Sequence, residues 1–506
     1  MSGLYFFRER FQTKDYIVGI LVVAAAVVVY LRTLAPTVYT FDSAEFATGG
    51  WTLGIIHAAG YPVYLLLAKL FTLLPVGDVA YRVNLMSAVW AAVTIGLLYL
   101  ICYRVTGQIW IAAAVALLYA FSHYYWRVAV IAETYTLNTT FIALLVLVVI
   151  SPPERIEART IVLTGLTLGL SFANHTSTIL AIPALVYWGF ANRRRMPPFY
   201  RVILLFGLGA LGGLLFYLYL PLRYLADPPL NYAKSYFDAD LTTPGGMWSW
   251  ITGEMFRPYM FAYDWPEMLT ESLNYLAWLW TNFLGAGVLI GILGLVHMLR
   301  AETRLFIFFG LLYAAYTLFF VNYRVVDKDT MFSVSYLVWA VWFAYGARAI
   351  RAWLHAQRMQ AGAASAFVAV LALASLVANW PFNDQSNNRM ASEFAGQLLD
   401  NAQPAAFVVT EWTWATPLEY LQIVENRRPD VTIFDRGLYG LAVWNRLRAQ
   451  RIPDSLAAER ITQALADRIQ SEIAQRPVYA TEYDQALTRW FVFAPENRYY
   501  RLLLRP

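Results

Sequence analysis

The sequence predicts an integral membrane protein of about eleven helical spans, followed by a small extracytoplasmic α/β domain. Two observations carry this. Of 506 residues 59% are hydrophobic and only 14% charged, with a mean hydropathy of +0.48. Soluble domains average about 25% charged residues. The second observation is a change of texture near residue 385, where long apolar runs give way to short ones alternating with amphipathic stretches. Aromatics at 16% suit belts of Trp and Tyr at the two membrane interfaces.

A window of about 19 residues places spans near 16–34, 83–103, 108–122, 134–150, 160–172, 176–190, 202–224, 272–299, 304–321, 331–348 and 361–380. The first run is followed by no small-residue cleavage site and reads as an uncleaved helix rather than a signal peptide. Charge orients the set. Arg8, Arg10 and Lys14 precede the first span, and Arg104, Arg155, Arg159, Arg193 to Arg195, Arg201, Arg300, Arg304, Arg348, Arg351 and Arg358 fall in alternate loops. Those loops then share one side, which the positive-inside rule makes cytoplasmic. The net charge of +5 is thus topogenic and gives no nucleic-acid stripe. Cys102 is the single cysteine, so no intramolecular disulfide can form.

The outer side receives the loop 35–82, the His123–Glu133 loop, the loop 225–271, the Asn322–Thr330 loop and everything after Trp380. In the tail, AAFVVTE (405–411), VTIFD (431–435), PVYATE (477–482) and FVFAP (491–495) read as buried strands. PLEYLQIVENRR and SLAAERITQALADRIQSEIAQ read as helices between them. The alternation predicts a largely parallel sheet in a domain spanning 385–506, beside a membrane domain spanning 1–384. No G-x-G-x-x-G or P-loop follows a strand.

Chemistry concentrates in TVYTFDSAEFATGGWTLGIIHAAGYPVYLL, residues 37–66. Asp42 and Glu45 share one face of a helical turn. The plain reading is that Asp42 or Ser43 caps a short helix. The sharper one is a carboxylate at the outer membrane surface acting as general base on a hydroxyl. His57, Gly60 and Pro62 interrupt the next apolar run, so it reads as amphipathic segments along the interface with Lys69 snorkelling. Glu133 suits the first turn of a span. Asn174 and His175 lie between two apolar runs, and polar groups at membrane depth are functional candidates. Arg223 is either an interfacial anchor or a fork for phosphate. Asp327, Lys328 and Asp329 read as a solvated loop. No H-E-x-x-H, paired C-x-x-C or G-x-S-x-G is present.

The stretch TFDSAEFATGGWTLGIIHAAGYPVYLLLAKLFTLLPVGDVAYRVNLMSA closely resembles the opening motif of an uncharacterised-domain family of bacterial membrane proteins. There the order runs Asp-Ser-Gly-Glu-Phe, Gly-Ile-Ala-His-Pro-Pro-Gly-Tyr-Pro-Leu-Tyr and Tyr-Arg-Val-Asn-Leu. The resemblance continues more loosely through AETYTLNTTF, GLSFANHTS, YLPLRYLADPPLNY and VVDKDTMF. Ala44 replaces a Gly of the pattern, and Ala58 and Ala59 replace its Pro pair. The family has an animal relative, a transmembrane O-mannosyltransferase acting on plexin-type domains. It is similar to the C-type (GT-C) glycosyltransferases, multispan enzymes that take sugar from a polyprenyl phosphate and use a carboxylate of the first outer loop.

The resemblance implies a GT-C-like membrane domain and transfer of a hexose, mannose being the expected sugar, to a protein Ser/Thr, glycan or lipid hydroxyl. It implies Asp42 as base with Glu45 beside it, and Arg223, His175 and Asn174 toward the donor phosphate. His57, Tyr61, Lys69, Glu133, Asn231 and Asp327 would line the substrate loops. The acids do not define a metal site, and none is predicted, though a divalent ion is left open. A transporter or flippase of lipid-linked sugars is the alternative, and a non-enzymatic scaffold a third reading. The tail is expected to serve acceptor engagement or stability. The expected setting is a bacterial cytoplasmic membrane, with the N-terminus inside and the tail outside.

Overall fold

The computed structural model describes residues 12–150 and 155–505. Arg8 and Arg10 lie outside the described residues. All eleven apolar segments are helical. α1 (Thr13–Thr33) leads into the first long loop, which folds into α2 (Asp42–Thr52) and α3 (Pro62–Thr72) before α4 (Val79–Thr106). α5 (Ile109–Ala120) meets α6 (His123–Ala129) at 68°. α7 (Tyr135–Ile150), α8 (Ala158–Asn174) and α9 (Ile182–Ala191) are short. α10 (Phe199–Leu214) continues through a tightened turn into α11 (Tyr219–Ala226). α12 (Tyr232–Ser235) and α13 (Pro244–Ile251) lie in the next long loop. α14 (Trp265–Asn282), α15 (Ala286–Ala301), α16 (Thr303–Val321), α17 (Ser333–Ala356) and α18 (Gly362–Asn383) complete the membrane part.

Among the described residues five helical stretches are long and apolar enough to cross a bilayer alone, or seven if each bent pair is one span. The remaining segments are shorter, at about 1.5 Å rise per residue, or carry arginines. Lipid contact shows in the surface: Phe199, Ile203, Leu204, Leu208 and Leu211 of α10 are all exposed, a stripe a water-soluble monomer would hide. α8 and α10 pack backbone to backbone. A Cβ at Gly169 would lie 2.2 Å from the Ala210 carbonyl, and one at Gly209 would lie 2.1 Å from that of Val162. Small residues four apart permit this approach in membranes.

The segment 272–299, expected as one span, is instead two helices meeting at 103°. Leu284 takes a left-handed φ of 53°. Its N–H bonds the Thr281 carbonyl, and that of Gly285 reaches back to the Trp280 carbonyl. This is a Schellman stop with Leu where Gly is usual, so apolarity continues through a real helix end.

The tail carries α19 (Met390–Asn401), α20 (Trp412–Ile423), α21 (Arg436–Ala449) and α22 (Asp454–Ile473) around a sheet. Its strands are β1 (Phe407–Thr410), β2 (Thr432–Asp435), β3 (Val478–Ala480), β4 (Phe491–Glu496) and β5 (Tyr499–Leu504), in the order β2-β1-β3-β5-β4. The sheet is mixed rather than largely parallel: β1 runs parallel to β2 and β3, whereas β5 is antiparallel to both β3 and β4. The unexpected strand is β5, joined to β4 by a tight turn at Asn497 (φ 58°), a residue that tolerates left-handed backbone.

One apolar core runs from Ala44, Phe46 and Tyr64 of the first loop through Leu220 and Tyr232 to Phe394, Leu398, Val408 and Leu418 of the tail. The loops assigned to the outer side meet at one end of the bundle. Ile55 bridges to Asn231, Met260 to Tyr323, and Arg127 pairs with Asp329 at 2.7 Å. Basic loops meet at the other end, where Arg348 donates to the Val105 carbonyl and the Ile156 N–H to that of Arg195.

Candidate active site

Helix α2 presents its first turn at the end of the bundle where these loops meet. Asp42 is its first residue, and the residue before it, Phe41, makes no side-chain cap. Ser43 accepts instead from the Ala132 N–H at 3.1 Å. Neither residue is a cap, so the plain reading of the acids fails. The helix N-terminus still favours a carboxylate there.

Glu45 is fully buried. One of its oxygens accepts the His57 backbone N–H at 2.8 Å, and the other lies 2.5 Å from His57 Nδ1. His57 Nε2 contacts the Tyr61 hydroxyl at 2.8 Å and lies 3.9 Å from Asp42 Oδ2. Burial works to lower the imidazole's pKa, but the Glu45 and Asp42 carboxylates outweigh it and lift it to about 9. Burial pushes Glu45 up, and His57 pulls it part of the way back. The ring and the buried carboxyl thus hold a proton between them along the 2.5 Å contact.

Asp42 Oδ1 accepts the indole N–H of Trp412 at 2.6 Å. Trp412 is the functional candidate missed in the sequence, because it stands 370 residues downstream. The available signal was its place just past β1, at the carboxyl end of a parallel strand, where α/β sheets gather ligands.

Asp327 and Glu133 approach from the other loops. Burial first, then the Asp42 charge, lifts Asp327 to about 6. The same two influences and Asp327 raise Glu133 well above the carboxylate range. The 327–329 loop is thus not simply solvated: Lys328 is buried against Glu271 and Tyr263, and Asp329 holds Arg127. His175 lies 5.7 Å from the Tyr61 ring and 5.5 Å from that of Tyr135. Its Nδ1 accepts the Ser177 N–H at 3.2 Å, leaving the neutral ring's proton on Nε2. Asn174 is wholly buried, and neither amide atom has a partner among the described residues.

Arg223 is not brought to the acids. It donates to the Leu53 and Thr52 carbonyls at 2.7 and 3.1 Å, at the far end of α2 and so roughly 15 Å of helical rise from Asp42. Lys69 joins it there on the Trp51 carbonyl at 2.5 Å. Both satisfy carbonyls that a helix C-terminus leaves unpaired. Asn231 caps α12 by accepting from the Lys234 N–H.

Asp42, Glu45 and His57 are the one group among the described residues able to hold a metal ion, with ligand atoms within 4.8 Å of one another. Two ligands of a tetrahedral zinc at about 2.0–2.1 Å each stand roughly 3.3 Å apart. The 2.5 Å Glu45–His57 contact is shorter and fits a shared proton. An ion at this position would separate that pair and use Asp42 as its third ligand.

Residues 42–197 match the family model described as the Protein O-mannosyl-transferase TMEM260 N-terminal domain. The chain is 27% identical to Protein O-mannosyl-transferase TMEM260 of Mus musculus over 448 residues, 83% of this chain and 62% of the relative. It is 21% identical over 523 residues to the Dictyostelium discoideum protein of the same name, covering 91% and 63%. The chain thus spans less than two thirds of the length of the curated relatives it matches. Among solved structures, ArnT from Cupriavidus metallidurans bound to undecaprenyl phosphate superposes with a TM-score of 0.52 at 12% identity, over 97% of this chain and 98% of that one. The chain therefore shares the fold of ArnT and is similar to the TMEM260 proteins over most of its own length.

Proposed function

We propose that this homologue of the protein O-mannosyl-transferases is a multi-pass membrane glycosyltransferase that moves a hexose, mannose by its relatives' names, from a polyprenyl phosphate to a hydroxyl acceptor. The observation that carries the reading is Asp42. One oxygen is held by Trp412, and the other, on a partly exposed carboxylate, lies 3.9 Å from His57 Nε2. That arrangement suits a general base. Asp42 Oδ2 takes the proton of the acceptor hydroxyl as its oxygen attacks the anomeric carbon. The bond from that carbon to the donor's phosphate oxygen breaks, and the anomeric centre inverts. The lipid phosphate leaves with the bonding electron pair.

Donors aimed at that developing charge lower the barrier. His175 Nε2–H and the unpartnered amide of Asn174 are the groups assigned to it. Arg223 and Lys69 instead brace the far end of α2. The Glu45–His57 pair holds Tyr61 and limits the negative charge around Asp42, while Glu133, Asn231 and Asp327 shape the surrounding loops. The acceptor class is a protein hydroxyl, as the relatives' names indicate. The setting is a bacterial cytoplasmic membrane with the acids and tail outside, which the segregation of basic loops to the other end supports.

The test is turnover by the purified protein in lipid vesicles given a panel of radiolabelled polyprenyl-phosphate sugars. One donor is expected to release or transfer its sugar. Movement of donor between leaflets without cleavage would replace this reading with that of a flippase.

A further inference from the structure

Helix α20 carries Trp412, Thr416 and Tyr420 at four-residue spacing, which places them along one face. All three bond to the first outer loop. The Trp412 indole N–H donates to Asp42 Oδ1 at 2.6 Å, and the Thr416 hydroxyl donates to the Phe41 carbonyl at 2.7 Å. The Tyr420 hydroxyl accepts the Ala80 N–H at 3.0 Å.

Two further facts make this grip specific to the base. Phe41, immediately before Asp42, has φ 57° and ψ −144°. A bulky side chain rarely adopts such backbone, and it persists only where surroundings over-determine it. Thr416 holds the carbonyl of that residue. The Trp412 indole is only partly buried and stands edge-on to His57, ring centres 5.7 Å apart. The bond to Asp42 is thus not a by-product of filling the domain's own core.

We infer that Trp412 is a positioning residue for Asp42, so that the C-terminal α/β domain completes the reaction centre through α20. With Oδ1 held by the indole, Oδ2 is the oxygen left to accept a proton, and Thr416 fixes the turn from which the carboxylate projects. The inference rests on the glycosyl-transfer reading above. Its logic is that of pre-organisation: a shift of about 1 Å in a reacting group can lower a rate about 10²-fold.

The experiment uses the full chain in lipid with the donor that wild type turns over, comparing Trp412→Phe and Thr416→Val with wild type. Trp412→Phe keeps an aromatic ring on the side facing His57 while removing the N–H donor and part of the ring system. The expected result is a kcat lowered by about 10–10²-fold, with donor Kd within twofold of wild type and an unchanged melting temperature. A merely structural role would move Tm and Kd together with kcat, and that outcome overturns the assignment. So does a kcat within twofold of wild type. Should Trp412→Phe yield no folded protein, Thr416→Val carries the same comparison, and an unimpaired kcat there overturns the inference. Wild type that turns over no donor overturns the glycosyl-transfer reading and this inference together. Turnover with an unimpaired Trp412→Phe overturns this inference alone.

Discussion

His57 and Glu45 meet twice, through the backbone N–H at 2.8 Å and through ring Nδ1 at 2.5 Å, in a place where the carboxylate is wholly removed from solvent. The pair links the two halves of the first loop, since Glu45 belongs to α2 and His57 to the turn before α3.

Removing one partner of a buried ion pair typically costs about 3–5 kcal/mol, because the other charge is left uncompensated. Glu45→Ala is therefore expected to lower thermal stability strongly. Glu45→Gln, which keeps an acceptor for the His57 N–H, should fall between Ala and wild type. Thermal unfolding of the detergent-solubilised proteins checks the order. Equal melting temperatures for Glu45→Ala and wild type would remove the pair from the account of the loop.

The same pair makes stability depend on pH. His57 titrates near 9 in the folded protein, above its ordinary value of about 6.5. A raised folded value means the stabilisation is complete below 6.5 and is lost as pH rises through 9. The difference in Tm between wild type and His57→Gln should therefore be level up to about pH 6.5 and shrink toward pH 9. A difference that grows over that interval would contradict the assignment of the proton to His57.

Asp327 carries a charge cost of the opposite sense. Its folded value of about 6 lies above the ordinary carboxylate range, so its ionisation opposes folding at neutral pH. Asp327→Asn is expected to raise stability at pH 7–8 by on the order of 1 kcal/mol, with the gain fading below about pH 4. Urea or thermal unfolding at the two pH values reads this directly.

The α8–α10 contact tests the membrane fold without touching the site. A Cβ at Gly209 would meet the Val162 carbonyl at 2.1 Å, and that atom belongs to backbone, which cannot swing aside. Gly209→Val should force the helices apart and sharply reduce the yield of monodisperse protein. Gly207→Val, on the same helix with nothing within 4 Å, should express normally.

Much of this was legible in the residues. Every apolar span of the membrane part is helical, 272–299 as two helices, because an apolar stretch has few other ways to satisfy its backbone in lipid. Asp42, Glu45 and His57 stood close enough in sequence to be read as one loop. What was hidden depended on tertiary distance or on an unusual residue in a common role. The bend at 283–285 sets Leu284 and Gly285 at left-handed φ inside an apolar run that masks the stop. β5 sits in RYYRLLLRP, a stretch too short and too interrupted by arginine to stand out, and its antiparallel pairing follows from a turn at Asn497 rather than from any strand pattern. Arg223 looked like a phosphate fork because its type and depth suited one, whereas the fold directs two of its N–H donors to the carbonyls of Thr52 and Leu53. Trp412 could not be connected to Asp42 by spacing, since only the docking of α20 on α2 brings them together.

The most direct test of the account is the rate of sugar transfer by wild type and Asp42→Asn, with the same lipid-linked donor and with donor binding measured separately. Loss of a general base lowers rates about 10²–10⁴-fold. The account predicts a fall of that order with donor affinity retained. Asp42→Asn turning over at the wild-type rate would contradict the assignment of the base, whatever the enzyme's reaction proves to be.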